Sequence, residues 1–406
     1  MGKVKYKSLL LAVFSVLALT SYSQEEISFA NEKVITADSI KVGAQRTELY
    51  FPLLKGKRVA VLVNQTSLIK KTFLVDSLLH AGINVKKIFC PEHGFRGKAN
   101  AGEIIKNSVD SITGLPIISL YGKRKKPKSG DLKGIDVVVY DIQDVGVRFY
   151  TYISTMTYMM EACAENNVEF LILDRPNPNG YYVDGPILQK EFSSFIGLHP
   201  VPIVYGMTIA EYATMVNGEG WLSNGIKCNL KYVTVDNYNH LYFYQLPVAP
   251  SPNLPNMEAV YLYPSLGLFE GTVVSVGRGT DLPFQVIGHP DMKNGNFSFT
   301  PENKPGALNP KYMGVKCNGY KLDDFADIYI KNLRKIYLFW LTAAYKNIPD
   351  TAQYFNTYFD KLAGTDKLRK QVIAGVSEDD IHLSWKADIE KFKKIRKKYI
   401  LYPDFE

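Results

Sequence analysis

Carboxylates that directly follow apolar runs are the residues of this chain best placed to do chemistry. Glu92 follows Pro91 after the run Val85 to Cys90, beside His93, and Gly94 and Gly97 would let backbone approach a ligand closely. Asp141 and Asp144 follow Ile135 to Tyr140, Asp174 follows Phe170 to Leu173, and Glu270 lies among apolar residues later in the chain. Cleaving a glycosidic bond takes an acid that protonates the leaving oxygen and a group that stabilises positive charge on the sugar ring. Glu92 suits the acid, and Asp141, Asp174 and Glu270 are candidates for the second role. Each has a plainer alternative. Glu92 could pair with Arg96 in a surface turn, and an aspartate at a strand end often only caps the next loop or helix.

Residues suited to binding surround these. Arg148, Arg175 and Arg278 could each grip a carboxylate with a bidentate fork or be spent on an internal ion pair. Tyr150, Tyr152, Tyr181 and Tyr182 could stack on a sugar ring or pack in the core. Asn64, Gln65, Asn177, Asn253 and Asp281 complete the candidate substrate contacts, together with His93, Arg96 and Asp144. Other chemistries lack their motifs. There is no G-x-S-x-G elbow, P-loop, complete G-x-G-x-x-G or H-E-x-x-H. Six scattered histidines and four separated cysteines, Cys90, Cys163, Cys228 and Cys317, make no metal or redox pattern. Neither cofactor nor metal is expected. Cys90 and Cys163 sit in apolar runs and read as buried thiols.

The elements that must position these groups alternate. Apolar strands at Arg58 to Val63, Val85 to Cys90, Leu115 to Leu120, Ile135 to Tyr140 and Phe170 to Leu173 are separated by helical patterns at Lys71 to His80 and Tyr152 to Asn166. A further helix runs from Thr208, with Glu211 completing a capping box, and Asn229 to Val235 returns as a strand. Continuous apolar strands imply a parallel sheet covered on both faces, and right-handed crossovers put the polar strand ends on one edge. The fold class is therefore α/β, a Rossmann-like parallel-sheet domain (24–250) followed by a smaller α+β domain (251–406). The boundary falls in the stretch Pro247 to Pro264, and the active-site cleft is expected between the two. The second domain should hold a strand at Gly271 to Val276 and a helix at Asp323 to Thr342.

With 406 residues, 46% hydrophobic and 22% charged, the chain is an ordinary globular composition. Lys3, Lys5 and Lys7 precede a short apolar run, Leu9 to Leu19, and small residues follow. Residues 1–23 read as a secretory signal peptide, so the product is expected to be exported, periplasmic or secreted. Removing those lysines lowers the net charge from +8 to +5, which could favour an anionic wall polymer but does not indicate nucleic acid. No stable membrane anchor is expected. The cluster Lys123 to Lys128 reads as a solvated loop. Lys393, Lys394, Arg396, Lys397 and Lys398 read as the wet face of a last helix.

Longer motifs enclose these residues: Pro91-Glu92-His93-Gly94-Phe95-Arg96-Gly97, the segment Asp141 to Tyr152, Asp174-Arg175-Pro176-Asn177-Pro178, Pro250-Ser251-Pro252-Asn253-Leu254-Pro255, and Phe269-Glu270-Gly271-Thr272 through Gly277-Arg278-Gly279-Thr280. From about Arg58 onward the sequence resembles the exo-β-N-acetylmuramidase family, the NamZ-type enzymes first described as a domain of unknown function. The resemblance implies a hydrolase that removes N-acetylmuramic acid from non-reducing ends of peptidoglycan fragments, muropeptides or disaccharides, with no cofactor. It makes Glu92, the glutamate of the P-E-H-G motif, the leading catalytic residue. Retention or inversion and the oligomeric state stay open. The rival expectations are a non-catalytic periplasmic muropeptide-binding protein and a cell-wall scaffold. Arg148, on the loop joining a strand end to a helix start, is the favoured partner for the lactyl carboxylate of the muramic acid.

Overall fold

The computed structural model describes residues 34–92, 94–95, 108–326, 330–349 and 351–406. The signal-peptide expectation, His93 and Arg96 lie outside the described residues.

Seven strands form the main sheet: β1 (Arg58–Val63), β2 (Asn84–Cys90), β3 (Ser108–Val109), β4 (Pro116–Ser119), β5 (Val137–Asp141), β6 (Glu169–Leu173) and β7 (Leu230–Val233). Their spatial order is β7-β6-β5-β1-β2-β4-β3, parallel throughout except for the short β3–β4 pair. Alternate residues of each strand serve opposite faces. Ala60, Leu62, Val138, Tyr140, Phe170 and Ile172 pack with helices α1 (Tyr152–Glu165) and α2 (Ile209–Gly218). Val59, Val61, Val63, Val137, Val139, Leu171 and Leu173 build the other core, with Leu74 and Leu78. A sheet apolar on both faces has to be covered twice, which is the doubly wound α/β arrangement. The capping box read from the sequence is present: the Glu211 amide donates to Thr208 Oγ1 at 3.4 Å, and the Thr208 amide donates to Glu211 Oε2 at 2.8 Å.

The chain order reverses between β1 and β5, where Val63 and Asp141 lie side by side. Beyond such a reversal an open α/β sheet has a crevice that commonly receives a ligand. Here the chain fills it. The Ser67 hydroxyl donates to the Asp141 carbonyl, Thr66 donates to Asn64 Oδ1 at 2.6 Å, and the Gln143 amide donates to Thr66 Oγ1 at 2.9 Å.

The later part of the chain contains a three-stranded antiparallel sheet, β8 (Val286–His289), β9 (Phe297–Phe299) and β10 (Cys317–Lys321), in the order β8-β10-β9. Two expected elements are not there. Gly271 to Val276 makes only isolated bridges, Thr272 with Phe355 and Ser275 with Gly288. Its hydroxyls bond locally to backbone, and Lys311 and Tyr312 take the carbonyls of Thr272, Val273 and Val274, so the ladder is pre-empted. The helix expected over Asp323 to Thr342 is broken at Arg334, which has φ 47°. Just beyond, backbone amides are claimed from outside: Ile336 by Asp184 at 2.7 Å, Tyr337 by Ser265 at 2.9 Å and Leu338 by Glu378 at 3.1 Å.

That junction is fastened by the last helix, α3 (Glu378–Arg396). His382 Nε2 lies 3.0 Å from the Ile336 carbonyl and Nδ1 lies 3.3 Å from Asp184, so both ring nitrogens face acceptors. Burial pulls the imidazole down, but Asp184 and Glu378 outweigh it and hold the pKa up at about 9. Because the folded value exceeds the unfolded one of about 6.5, the stabilisation is complete below pH 6.5 and disappears as pH rises through 9. His382→Ala should therefore cost on the order of 2–3 kcal/mol at pH 6 and little at pH 10. Urea unfolding at both values checks this, and an equal cost at both would remove the charged pair from the account.

Arg396, expected on the wet face of that helix, is fully buried. It donates to the Gly206 carbonyl and pairs with Asp404 at 2.6 Å, strapping the C-terminal segment to the stretch that precedes α2. All four cysteines are unpaired and buried. No helix among the described residues is long and apolar enough to cross a membrane.

Candidate active site

A cleft of about 890 Å³ opens beside the filled crevice. Three strand ends supply one part of its lining: Glu92 beyond β2, Tyr121 beyond β4, and Phe149 to Thr151 on the loop between β5 and α1, with Tyr152 opening that helix. The later chain supplies Tyr263, Glu270, Arg278, Lys311, Tyr358 and Lys361. The two parts interlock closely. Phe149 packs edge-on against Tyr263 at 5.2 Å, and a Cβ on Gly267 would lie 2.3 Å from the Phe149 ring, so that position excludes any side chain. The Pro250 carbonyl gathers the Tyr150 hydroxyl at 2.9 Å, the Tyr152 hydroxyl at 3.4 Å and the Gln65 amide at 2.9 Å.

Glu92 is half-buried and accepts a hydrogen bond from the Tyr121 hydroxyl. Burial raises the Tyr121 pKa, and Glu92 raises it further, so the phenol stays a donor. Glu270 is held by Arg278, whose Nε donates at 2.7 Å. Burial opposes the guanidinium charge, but Glu270 outweighs it and lifts the Arg278 pKa, with Glu92 adding to the effect. Tyr358 is pushed up to about 12, first by burial and then by Glu270 and Glu92. Tyr263 feels both carboxylates as well. Glu92 and Glu270 thus bear on the same small space. Lys311 is exposed as a residue, but its ammonium donates to the Thr272 and Val274 carbonyls, and desolvation lowers its pKa to about 8. Among the described residues no three histidine, cysteine or acidic side chains group as metal ligands would.

Of the residues singled out from sequence, the cleft is lined by Glu92, Glu270, Tyr150, Tyr152, Asn253 and Arg278. Asn253 donates to the Gly306 carbonyl at 2.8 Å and so fixes the cleft's edge. Among the described residues, the others are not in its lining. Asp141 is fully buried in a bidentate pair with Arg175 at 2.6 and 3.0 Å, and neither side chain lines the cleft. Asp144 is buried against the Tyr205 hydroxyl and the Gly146 amide, and burial raises its pKa to about 7. Asp174 is buried, accepts from the Ala210 amide at 2.9 Å and the Tyr402 hydroxyl at 2.5 Å, and is pushed up to about 6 by burial. Asn64 and Gln65 brace the crevice and Pro250, and Asn177 bonds to the Met207 carbonyl at 2.9 Å. Asp281 points away into solvent and pairs with Lys304. Tyr181 and Tyr182 are core residues.

Arg148 calls for the largest correction. It is fully buried, and its two terminal nitrogens donate to the carbonyls of Pro186, Val201, Leu362 and Ala363 at 2.7–2.9 Å. Both terminal nitrogens are spent and the remaining Nε is buried, so no exposed donor is left for a substrate carboxylate. Gly364, at φ 76°, is required beside it, since a Cβ there would lie 2.6 Å from Arg148 Nη2.

Several lining residues were not singled out. Tyr121 follows an apolar strand directly, as Glu92 does, so the rule that found Glu92 reaches it too. Lys123 and Lys125, in the cluster expected to be a solvated loop, line the cleft instead. Their neighbours hold that loop down: Arg124 pairs with Asp131, and Lys126 pairs with Glu161 at 2.9 Å and Glu165 at 2.7 Å. Tyr263, Lys311, Tyr358 and Lys361 carry no local signal and reach the cleft only through tertiary packing.

Comparisons with known proteins agree with this architecture. Residues 59–258 match the family model of the exo-β-N-acetylmuramidase NamZ N-terminal region, and residues 261–402 match that of its C-terminal region. The chain is 37% identical over 382 residues to the peptidoglycan β-N-acetylmuramidase NamZ of Bacillus subtilis (strain 168), covering 87% of this chain and 89% of that protein. Two crystal structures of DUF1343 family proteins from Bacteroides fragilis NCTC 9343 share the fold. One has a TM-score of 0.84 and 49% identity, the other 0.71 and 30%, and each alignment covers 90% of this chain and 99% of the other. With both regional models matched in order and this identity sustained over most of its length, the chain belongs to the exo-β-N-acetylmuramidase NamZ family.

Proposed function

We propose that this glycoside hydrolase releases N-acetylmuramic acid from the non-reducing ends of peptidoglycan fragments, with Glu92 as the acid that protonates the leaving oxygen. The observation that carries the reading is the sharing of one tyrosine-lined cleft by two carboxylates, Glu92 and Glu270, both acting on Tyr263, Tyr358 and Arg278. A cleaved glycoside needs both a proton for the departing oxygen and negative charge near the sugar ring as it becomes oxocarbenium-like. Glu92, backed by the Tyr121 donor, takes the first task. Glu270, oriented by Arg278, takes the second, either on the ring itself or on the sugar's acetamide, which can serve as an internal nucleophile. Tyr150 and Tyr152 shape the floor through Pro250. The cleft lies between the domains 24–250 and 251–406 in this reading.

A chromogenic β-N-acetylmuramide tests it. Chromophore release at some pH between 5 and 8 supports hydrolysis. Saturable binding without release across that range supports a muropeptide-binding protein instead.

A further inference from the structure

The cleft carries more positive charge than its own carboxylates can match. Five cationic side chains line it among the described residues, Lys123, Lys125, Arg278, Lys311 and Lys361, against Glu92 and Glu270. Three of the five are occupied within the protein. Arg278 is bonded to Glu270 and lies over the Phe284 ring at 4.9 Å. Lys311 is turned onto two backbone carbonyls. Lys125 sits over the Phe195 ring at 4.3 Å. Lys123 and Lys361 make no ion pair, hydrogen bond or ring contact with any described residue, and both are exposed.

The backbone that bears each of them is nevertheless fastened. Lys123 precedes Arg124 and Lys126, both anchored by carboxylates. Lys361 sits on the short helix Phe359–Ala363, whose terminal carbonyls are held by Arg148. Two unspent ammonium groups on fixed segments, one from each part of the chain that lines the cleft, are available to an anion carried by the substrate. Resting on the function proposed above, we infer that Lys123 and Lys361 receive the lactyl carboxylate of N-acetylmuramic acid and so separate it from N-acetylglucosamine, which lacks that group. An ammonium is a compact point charge that tolerates the rotatable lactyl ether, where a planar guanidinium would demand one geometry.

The test compares wild type with Lys123→Met, Lys361→Met and the double variant on three chromogenic substrates: the β-N-acetylmuramide, its lactyl methyl ester and the β-N-acetylglucosaminide. Loss of a charged hydrogen bond is expected to lower kcat/KM on the muramide roughly 10- to 100-fold in the double variant. The ester and the glucosaminide should change less than threefold, and Lys→Arg at both positions, which keeps the charge but not the compact geometry, should recover only part of the muramide rate. A structural role would not separate the acid from its ester. If the double variant cleaves the muramide as fast as wild type, or loses equally on acid and ester, the assignment is overturned while the function stands. A wild-type protein that leaves the muramide intact overturns the function and the assignment together.

Discussion

Glu92→Gln should lower kcat on an N-acetylmuramide by roughly 10²–10⁴-fold, the range that a positioned acid–base group contributes. The substitution keeps the volume and one acceptor oxygen, so the Tyr121 hydroxyl retains a partner and the fold should persist. What it removes is the proton for the leaving oxygen. The deficit should therefore depend on the leaving group. A dinitrophenyl aglycone departs without protonation and should lose little, whereas a sugar aglycone should lose the full factor. KM should move by less than kcat, since the lost interaction is made in the transition state. Near-full activity on a sugar aglycone would remove Glu92 from the acid role, and Glu270 would be the carboxylate to examine next.

Arg148→Met should be the most damaging single change to stability. The guanidinium satisfies four buried carbonyls, those of Pro186, Val201, Leu362 and Ala363, and methionine satisfies none. Each orphaned buried acceptor costs about 1–3 kcal/mol, so the total is at least about 4 kcal/mol, a large share of the roughly 5–15 kcal/mol that holds a protein folded. Arg148→Lys keeps the charge and up to three donors and should recover part of the loss. Because Leu362 and Ala363 follow Lys361, the helix that presents Tyr358 and Lys361 to the cleft should loosen in either variant. Thermal unfolding checks the order, wild type above Arg148→Lys above Arg148→Met. A methionine variant as stable as wild type would contradict the staple.

The alternation of strands and helices was legible because both cores are written as period-2 and helical apolar patterns from Arg58 to Val233. Glu92 was legible because a parallel sheet delivers whatever follows its strands to one edge. That rule does not say which strand ends stay open. Asp141 and Arg175 sit at such ends but pair with each other, and only tertiary packing reveals that their crevice is closed. Arg148 misled for a related reason. In a sequence an arginine beside a strand end looks available, and nothing local announces four carbonyls from residues 186 to 363. The second part of the chain was least legible. Its segment Gly271 to Val276 has the residues of a strand, but Lys311 and Tyr312, some forty residues on, take the backbone that a neighbour strand would have used.

Exo-hydrolysis of muramyl ends is distinguished from endo-cleavage and from simple binding by the order of products from a defined peptidoglycan oligosaccharide. The substrate is an alternating oligomer with N-acetylmuramic acid at its non-reducing end, followed in time by mass spectrometry. Free N-acetylmuramic acid should be the first product, together with an oligomer shorter by that one sugar and headed by N-acetylglucosamine. Internal fragments of several sugars at early times, or an oligomer that binds and stays intact, would contradict exo-hydrolysis.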